Sequence, residues 1–521
     1  MPPDTLRPRD VKPRRLAELT PLLGLPEPVG PVGEVRLTGI THDSRQVRPG
    51  DLYAALPGRR FHGADFAAEA ARRGAVAILT SPDGAERARA TGLPVLTVPD
   101  PRARLGEVAA WVYSEPARDL LLLGVTGTNG KTTCGFLLES GLRAGGHRTG
   151  LVGTVETRVA GQTLPSARTT PEATDLQALF AVMRERGVTA VAMEVSSHAL
   201  VLNRVAGVRF DIAAFTNLSQ DHLDFHADME DYFRAKAMLF TPERAGLGVV
   251  NVDDPYGRRL AGQARIPIVT YSPSGDPAAD WRAEEVSLRP TGSVFRVVGP
   301  GEARAQASVR LPGMFNVANA LCAIVMLVAA GVPLDRAAEG VGAVSGVPGR
   351  MERIEAGQPF LAVVDYAHTP DAVETLLKSL REVTKGALYV VVGCGGDRDQ
   401  GKRPLMGEAA ARLADVAVFT NDNPRSEDPM AILAAMREGA ERVPPARRAE
   451  IVVEPDRARA IALAVARAGP GDAVVVAGKG HEQGQEVQGV VRPFDDRIAL
   501  REAIRGRGPL PRTTDPTTET R

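Results

Sequence analysis

Cysteine is scarce in this 521-residue chain: Cys134, Cys322 and Cys394 stand far apart, with no Cys-x-x-Cys pair. That argues against a disulfide framework and a thiolate metal cluster, and it fits a reducing cytoplasm. Net charge is missing as well. Lys and Arg total 63, as do Asp and Glu, so no global field favours nucleic acid, an anionic membrane or an acidic partner. Any anion must be held by a local site. The longest uncharged apolar stretch, 320–332, falls short of the roughly 18 residues needed to span a bilayer and reads as a buried helix, so membrane insertion is not expected. The first thirteen residues alternate charge with proline instead of forming the apolar core of a secretory signal, and are expected to be flexible. Internal repeats and heptads are absent too.

At about 150 residues per domain, the length suggests roughly three domains. Short apolar runs at 51–56, 75–80 and 95–98 alternate with Ala- and Arg-rich helical stretches, giving a small α/β unit expected to span 1–116. A second unit, 117–346, opens with an apolar strand at 120–125 and a helix from about Lys131. Strands follow at 190–195, 212–216, 248–252 and 266–271, a rhythm that implies a parallel sheet covered on both faces. After the turn-rich Ser345-Gly-Val-Pro-Gly349, strands at 361–365, 388–393, 416–420, 451–453 and 473–477 mark a doubly wound unit, 347–505. The Thr- and Pro-rich tail, 506–521, has no periodicity and is expected to be disordered.

Between a strand and a helix lies Gly124-Val-Thr-Gly-Thr-Asn-Gly-Lys-Thr-Thr133, where backbone N–H groups can surround phosphate oxygens. Gly127, Thr128, Asn129, Gly130, Lys131, Thr132 and Thr133 are the candidates to bind ATP, with Lys131 neutralising terminal phosphates and the Thr132 hydroxyl facing Mg2+. Val125 occupies the first glycine position of the common Walker form, and Gly127 takes over the turn. A magnesium ion on nucleotide phosphates calls for a carboxylate or imidazole at a neighbouring strand end. Glu194 in Glu194-Val-Ser-Ser-His198 and His222 in Asp221-His-Leu-Asp224 are placed for that. His222 and His226 lack the glutamate of His-Glu-x-x-His, which argues against a zinc protease, and no Asn-Lys-x-Asp motif supports a guanine-specific switch.

Together with Thr216-Asn-Leu-Ser-Gln-Asp-His-Leu-Asp224 and Asp365-Tyr-Ala-His-Thr-Pro370, these motifs resemble the Mur ligase superfamily over about 41–505. Gly393-Cys-Gly-Gly-Asp-Arg-Asp399, Asp422-Asn-Pro-Arg425 and Gly478-Lys-Gly-His-Glu482 resemble its MurE type. The resemblance implies an α/β fold of three domains: one for the UDP substrate, a central P-loop ATPase with a parallel sheet, and a C-terminal Rossmann-like domain for the incoming amino acid. It implies an ATP-dependent, ADP-forming amide ligase of peptidoglycan synthesis. ATP would phosphorylate the D-Glu carboxylate of UDP-N-acetylmuramoyl-L-alanyl-D-glutamate, and an amino group would then displace phosphate. Lys131, Lys236 and His222 would be catalytic; Thr132, Glu194 and His222 would meet Mg2+; Lys236 would carry a carbamate. Asn316, Arg350 and His368 match nucleotide contacts. Ser44 matches a contact to the UDP part, and Thr169, Thr170, Ser196 and Arg204 match muramyl-peptide contacts. The chain is expected to be a monomer.

For the amino acid, Arg398, Asp422, Asn423, Pro424, Arg425, Gly478 and Glu482 are the candidates. Arg425 and Arg398 can pair bidentately with carboxylates, and Asn423 with Glu482 can hold a distal ammonium, a polarity that suits meso-diaminopimelate. L-Lysine and L-ornithine remain open. A folate polyglutamate-type ligase or a non-catalytic P-loop nucleotide-binding protein is the more distant alternative; the unit at 41–98 argues against the first.

Overall fold

The computed structural model describes residues 7–26, 30–58, 60–164, 166 and 168–507. The tail over 508–521 and residues 1–6, for which disorder and flexibility were expected, lie outside the described residues. Residues 7–10, grouped with that flexible segment from sequence, are tied down: Arg7 Nη1 lies 3.0 Å from Asp51 Oδ1, and the Arg9 and Asp10 N–H groups donate to Glu185 at 2.9 and 2.8 Å.

Four short strands, Gly39–Thr41, Asp51–Ala55, Ala77–Thr80 and Val95–Thr97, pair in parallel in chain order. Alternate side chains face opposite ways along a strand. Leu52 and Ala54 therefore pack in one apolar cluster with the Pro101–Val112 helix, while Tyr53 and Ala55 join another with Ala64, Ala67 and Ala70.

The second sheet has eleven strands. Its middle seven are parallel, in the spatial order Thr149–Val152, Ala190–Glu194, Leu121–Thr126, Phe210–Phe215, Ala245–Asn251, Ile268–Ser272 and Trp281–Arg289. Both faces are covered. Leu123, Val125, Ala192 and Ala214 pack beneath the Lys131–Ala144 and Met314–Ala329 helices, whereas Leu122, Val191, Met193 and Phe215 meet Leu176, Leu179, Phe180 and Phe233. The Met314–Ala329 helix contains most of the long uncharged stretch and buries eleven of its residues. Beyond the parallel core, both edges turn antiparallel. The hairpin Thr157–Val159/Gln162–Leu164 extends one edge, and Gly292–Val298 with Arg304–Val309 extends the other. These wings differ from the uniformly parallel sheet expected. Arg304–Val309 alternates exposed and buried residues, the pattern of a strand with one wet face, and such strands join through short turns without a helix.

The third sheet runs Glu352–Arg353, Leu361–Asp365, Ala473–Ala477, Leu388–Val392, Val416–Phe419 and Glu450–Val453, parallel except for the first strand. In such sheets ligands bind beyond the carboxyl ends of the strands, near the point where strand order reverses. The motifs singled out from the second and third units all emerge there.

Candidate active site

Leu121–Thr126 is apolar and buried through most of its length, and Gly127 then turns the chain sharply into the Lys131–Ala144 helix. Gly127 and Gly130 have φ of 147° and 92°, and a Cβ at either would strike Thr216 Oγ1 or Asn319 Oδ1. Glycine is required twice by conformation and by space. The loop is braced from the next strand end: Thr128 N–H donates to Asn217 O at 2.9 Å, Asn129 N–H to Asn217 Oδ1 at 2.9 Å, and Thr216 Oγ1 to Asn129 O at 2.6 Å. Lys131 Nζ reaches the carbonyls of Gly127 and Thr128 at 2.9 and 2.8 Å. Thr132 and Thr133 are buried in the first turn, and the Thr132 hydroxyl accepts from Arg350 Nη2 at 3.1 Å.

A cavity of about 470 Å³ opens over this loop, with walls from both the second and third units. Glu194 lies at its floor, 1% exposed, with Oε1 and Oε2 accepting from the N–H and hydroxyl of Thr154 at 2.7 and 2.9 Å. An ionised carboxylate has about four lone-pair sites, so capacity remains. His222 sits in the left-handed region, φ 56°, with its Nε2 3.4 Å from Asp221 Oδ2. Burial pushes its imidazole down to about 3 against the pull of Asp221, so near neutral pH the ring keeps a free lone pair. Lys236 is 1% exposed; its Nζ donates to Gly127 O at 2.8 Å and lies 4.5 Å from the centre of the Tyr232 ring. Burial first, and the Lys131 charge second, push its amine well below the usual lysine range.

The third unit contributes Arg350, stacked 4.2 Å over the Tyr366 ring, and His368, whose Nδ1 meets Tyr366 O at 2.9 Å and whose Nε2 lies 3.9 Å from Asp221 Oδ2. Asn316 lines the same cavity, its amide donating to Pro312 O at 2.8 Å and its Oδ1 accepting from Asn319 at 3.2 Å. Glu194, His222 and the Thr132 hydroxyl make a sparse oxygen and nitrogen donor set. Among the described residues no group of three or more His, Cys, Asp or Glu could hold a metal ion. The Glu194, His222 and Thr132 set, with its single carboxylate, would fit magnesium, which is commonly held through one or two carboxylates with phosphate oxygens and water completing its shell.

Thr169 and Ser196 line the cavity, and the Thr169 hydroxyl oxygen lies 2.9 Å from that of Thr154, which, with its own hydrogen on Glu194, can accept from it. The Thr170 hydroxyl donates to Glu194 O at 2.9 Å and accepts from Ser196 N–H at 3.2 Å, holding the end of the Glu194 strand. Arg204 Nε is 3.0 Å from Glu172 Oε1. Ser44 does not line this cavity; it is buried in the first unit, with its hydroxyl on Glu69 at 3.0 Å.

A second cluster forms at the strand ends of the third sheet. Asn423 Nδ2 donates to Glu482 Oε2 at 2.9 Å, and Lys479, fully buried, donates to both Asn423 Oδ1 and Glu482 Oε2 at 3.0 Å. Arg425, φ 53°, donates to Gly396 O at 2.7 Å, and its Nε lies 3.6 Å from Glu486. Gly478 has φ 113°, and a Cβ there would meet Asp422 Oδ2 at 2.7 Å. The Pro424 carbonyl packs against Gly396, while Arg398 is exposed and donates to Asp397 O at 3.0 Å, apart from the Asn423 network. Sequence reasoning passed over Asn217, Tyr232, Asn319 and Lys479. Tyr232 stands one turn before Lys236 on the same helix face, and Lys479 lies inside a motif already singled out.

Residues 36–113 match the Mur ligase family catalytic domain, 125–327 the Mur ligase middle domain and 349–480 the Mur ligase glutamate ligase domain. The chain is 63% identical over 96% of its length to the UDP-N-acetylmuramoyl-L-alanyl-D-glutamate–2,6-diaminopimelate ligase of Streptomyces avermitilis, covering 98% of that protein. It is 63% identical to the protein of the same name from Streptomyces coelicolor, over 96% of this chain and 99% of that one. A solved structure of a UDP-N-acetylmuramoyl-L-alanyl-D-glutamate–2,6-diaminopimelate ligase overlays 95% of this chain on 99% of its own at 33% identity, with a TM-score of 0.66. With three successive domain matches, these identities and a phosphate loop walled in by a third-domain arginine, the chain belongs to the Mur ligase family.

Proposed function

We propose that this chain is an ADP-forming ligase of peptidoglycan synthesis that adds meso-diaminopimelate to UDP-N-acetylmuramoyl-L-alanyl-D-glutamate. The observation that carries this reading is the shared cavity: the phosphate loop, Glu194, His222 and Lys236 face Arg350 and His368 across it, and the Asn423, Arg425 and Glu482 cluster stands on the same strand ends of the third sheet. The names of the highly identical relatives support the same substrate pair. The three spans 1–116, 117–346 and 347–505 then serve the UDP part, ATP and the amino acid, each with its own sheet.

A carboxylate is a poor electrophile. Transfer of the γ-phosphoryl group to the D-Glu carboxylate oxygen turns that oxygen into a leaving group, and ADP departs. The amine then attacks the carbonyl carbon, loses a proton and expels phosphate, leaving an amide. Lys131 and Arg350 offset the negative charge that gathers between the phosphates and the carboxylate. Neutral His222, Glu194 and Thr132 would hold Mg2+, which when bound supplies charge stabilisation at the transferring oxygens. Burial pushes the Lys236 amine well below the usual lysine range, toward the free lone pair that carbamate formation with CO2 requires. Thr169, Thr170, Ser196 and Arg204 orient the muramyl peptide, Ser44 the UDP part. No helix among the described residues is long and apolar enough to cross a membrane, and we place the reaction in the cytoplasm, carried out by a monomer.

Phosphate release by the purified chain with ATP, Mg2+ and the UDP-dipeptide, compared across meso-diaminopimelate, L-lysine and L-ornithine with product masses recorded, tests the proposal. Release that depends on diaminopimelate, with the matching tripeptide mass, is expected. Turnover with lysine or ornithine alone would refute the role given to Arg425, and turnover with none would refute the ligase itself.

A further inference from the structure

Arg457 and Asp496 form a fully buried ion pair, both side chains 0% exposed, in the third unit. Arg457 Nε donates to Asp496 Oδ1 and Nη2 to Asp496 Oδ2, each at 2.7 Å. The remaining donors go elsewhere: Nη2 also reaches Ala477 O at 2.9 Å, and Nη1 reaches Asn421 O at 3.3 Å. Those two carbonyls immediately precede the segments that carry the amino-acid cluster, Gly478 to Glu482 and Asp422 to Arg425.

The two segments leave strands that are not neighbours. Ala473–Ala477 and Val416–Phe419 are separated by Leu388–Val392, so their ends lie two strand spacings apart, roughly 9.5 Å, and no ladder bond joins them. One planar guanidinium meets both carbonyls while keeping a two-bond pair to an acid, which takes four of its five donors; an ammonium has only three. Stability is a poor reason for the arrangement. Arg457 is the first residue of the Arg457–Arg467 helix, the end where the helix dipole disfavours a cation, and buried ion pairs are often replaced by apolar residues without loss. The Asp422 segment is held from a second side as well, by Gln485 Nε2 on Asn421 O and Asp422 O at 3.2 and 2.9 Å.

We propose that Arg457, fixed by Asp496, is a positioning residue for the diamino-acid site: it sets the spacing between the Asn423–Arg425 and Lys479–Glu482 segments. This rests on the functional reading above. Wild-type turnover with any of the three diamino acids is therefore established first, and the variants are assayed on the one that is used; a wild type that uses none overturns both. Two variants separate positioning from folding. Arg457→Met/Asp496→Leu removes the pair but fills its volume, and Arg457→Lys keeps a charge for Asp496 while losing the two-carbonyl span. Both are expected to melt as cooperatively as the wild type and to raise KM for the diamino acid tenfold or more, with KM for ATP within twofold. A merely structural role would move all constants together or none. A cooperatively folded double variant, or failing its folding a folded Arg457→Lys, with wild-type KM for the diamino acid would overturn the proposal.

Discussion

Lys236 lies buried with its amine on a backbone carbonyl and over an aromatic ring, and among the described residues no carboxylate is in ion-pairing contact with it. Its folded pKa is well below its unfolded value of 10.5. Between those two values the unfolded chain holds the extra proton, so stability contributed by this site is lost as pH falls from 10.5 through the folded pKa. Lys236→Met is therefore expected to abolish turnover and yet stabilise the fold, by about 1–3 kcal/mol, the typical cost of a poorly compensated buried polar group. A lower melting temperature in that variant would contradict the burial argument. In Phe233-Arg-Ala-Lys236 alone the lysine reads as a solvated helix charge; only the packing of the Met229–Ala237 helix against the sheet reveals otherwise. The phosphate loop, by contrast, was legible because its chemistry is local. Arg425 falls between: its type and motif pointed to a carboxylate, but its left-handed backbone and its bonds to Gly396 and Glu486 come from the fold. Arg425→Lys keeps the charge and loses the fork, so KM for diaminopimelate is expected to rise about tenfold or more with lysine use unaffected, measured by parallel kinetics. Unchanged diaminopimelate kinetics would remove Arg425 from substrate recognition.

At the level of elements, most strands buried on both faces announced themselves as apolar runs, with observed limits within two or three residues of those expected, but the short, fully buried Gly39–Thr41 and Thr149–Val152, diluted by Gly and Thr, passed unseen. The antiparallel wings did not. Arg304–Val309 has a period-two pattern in Ala and Val against Arg, Gln and Ser, too weakly apolar to stand out beside runs such as Leu388–Val392. Close helix contacts were also hidden, since glycine in a helix carries no sequence sign of what it faces. A Cβ at Gly407 would collide with the Met436 carbonyl, and one at Gly439 with the Pro404 carbonyl, so the Lys402–Leu413 and Pro429–Glu441 helices meet backbone to backbone. Gly439→Ala must push them apart and is expected to cost ~1–3 kcal/mol in denaturant unfolding. An unaltered midpoint would mean that the pair can slide without loss.

Across the whole molecule, six of the eight histidines, His62, His198, His222, His226, His368 and His481, are pushed below the usual histidine range, in each case chiefly by burial. His481 falls to about 4 and His222 to about 3. From pH 6.5 down through these values the unfolded chain takes up protons that the folded chain refuses, so stability drops with acidification. The urea midpoint is expected to fall clearly between pH 7 and pH 5, and a flat profile would show that the imidazoles can open to water without unfolding. Assembly of the site from two units is also a property of the whole: nothing in Asp365 to Pro370 says that His368 faces Asp221, nearly 150 residues earlier in the chain.

The three cysteines are free and buried, Cys134 and Cys322 at 0% exposure and Cys394 at 2%. Cys134 lies on the phosphate-loop helix against Asn319, whereas Cys394 sits in the glycine-rich turn of the third unit beside Met406. A thiol reagent can reach either only when its own surroundings open. The unmodified chain thus carries two built-in clocks, and the alkylation rates at Cys134 and Cys394 time the openings of two regions separately. ATP should slow the first far more than the second. Equal slowing at both would mean that the two regions open only together.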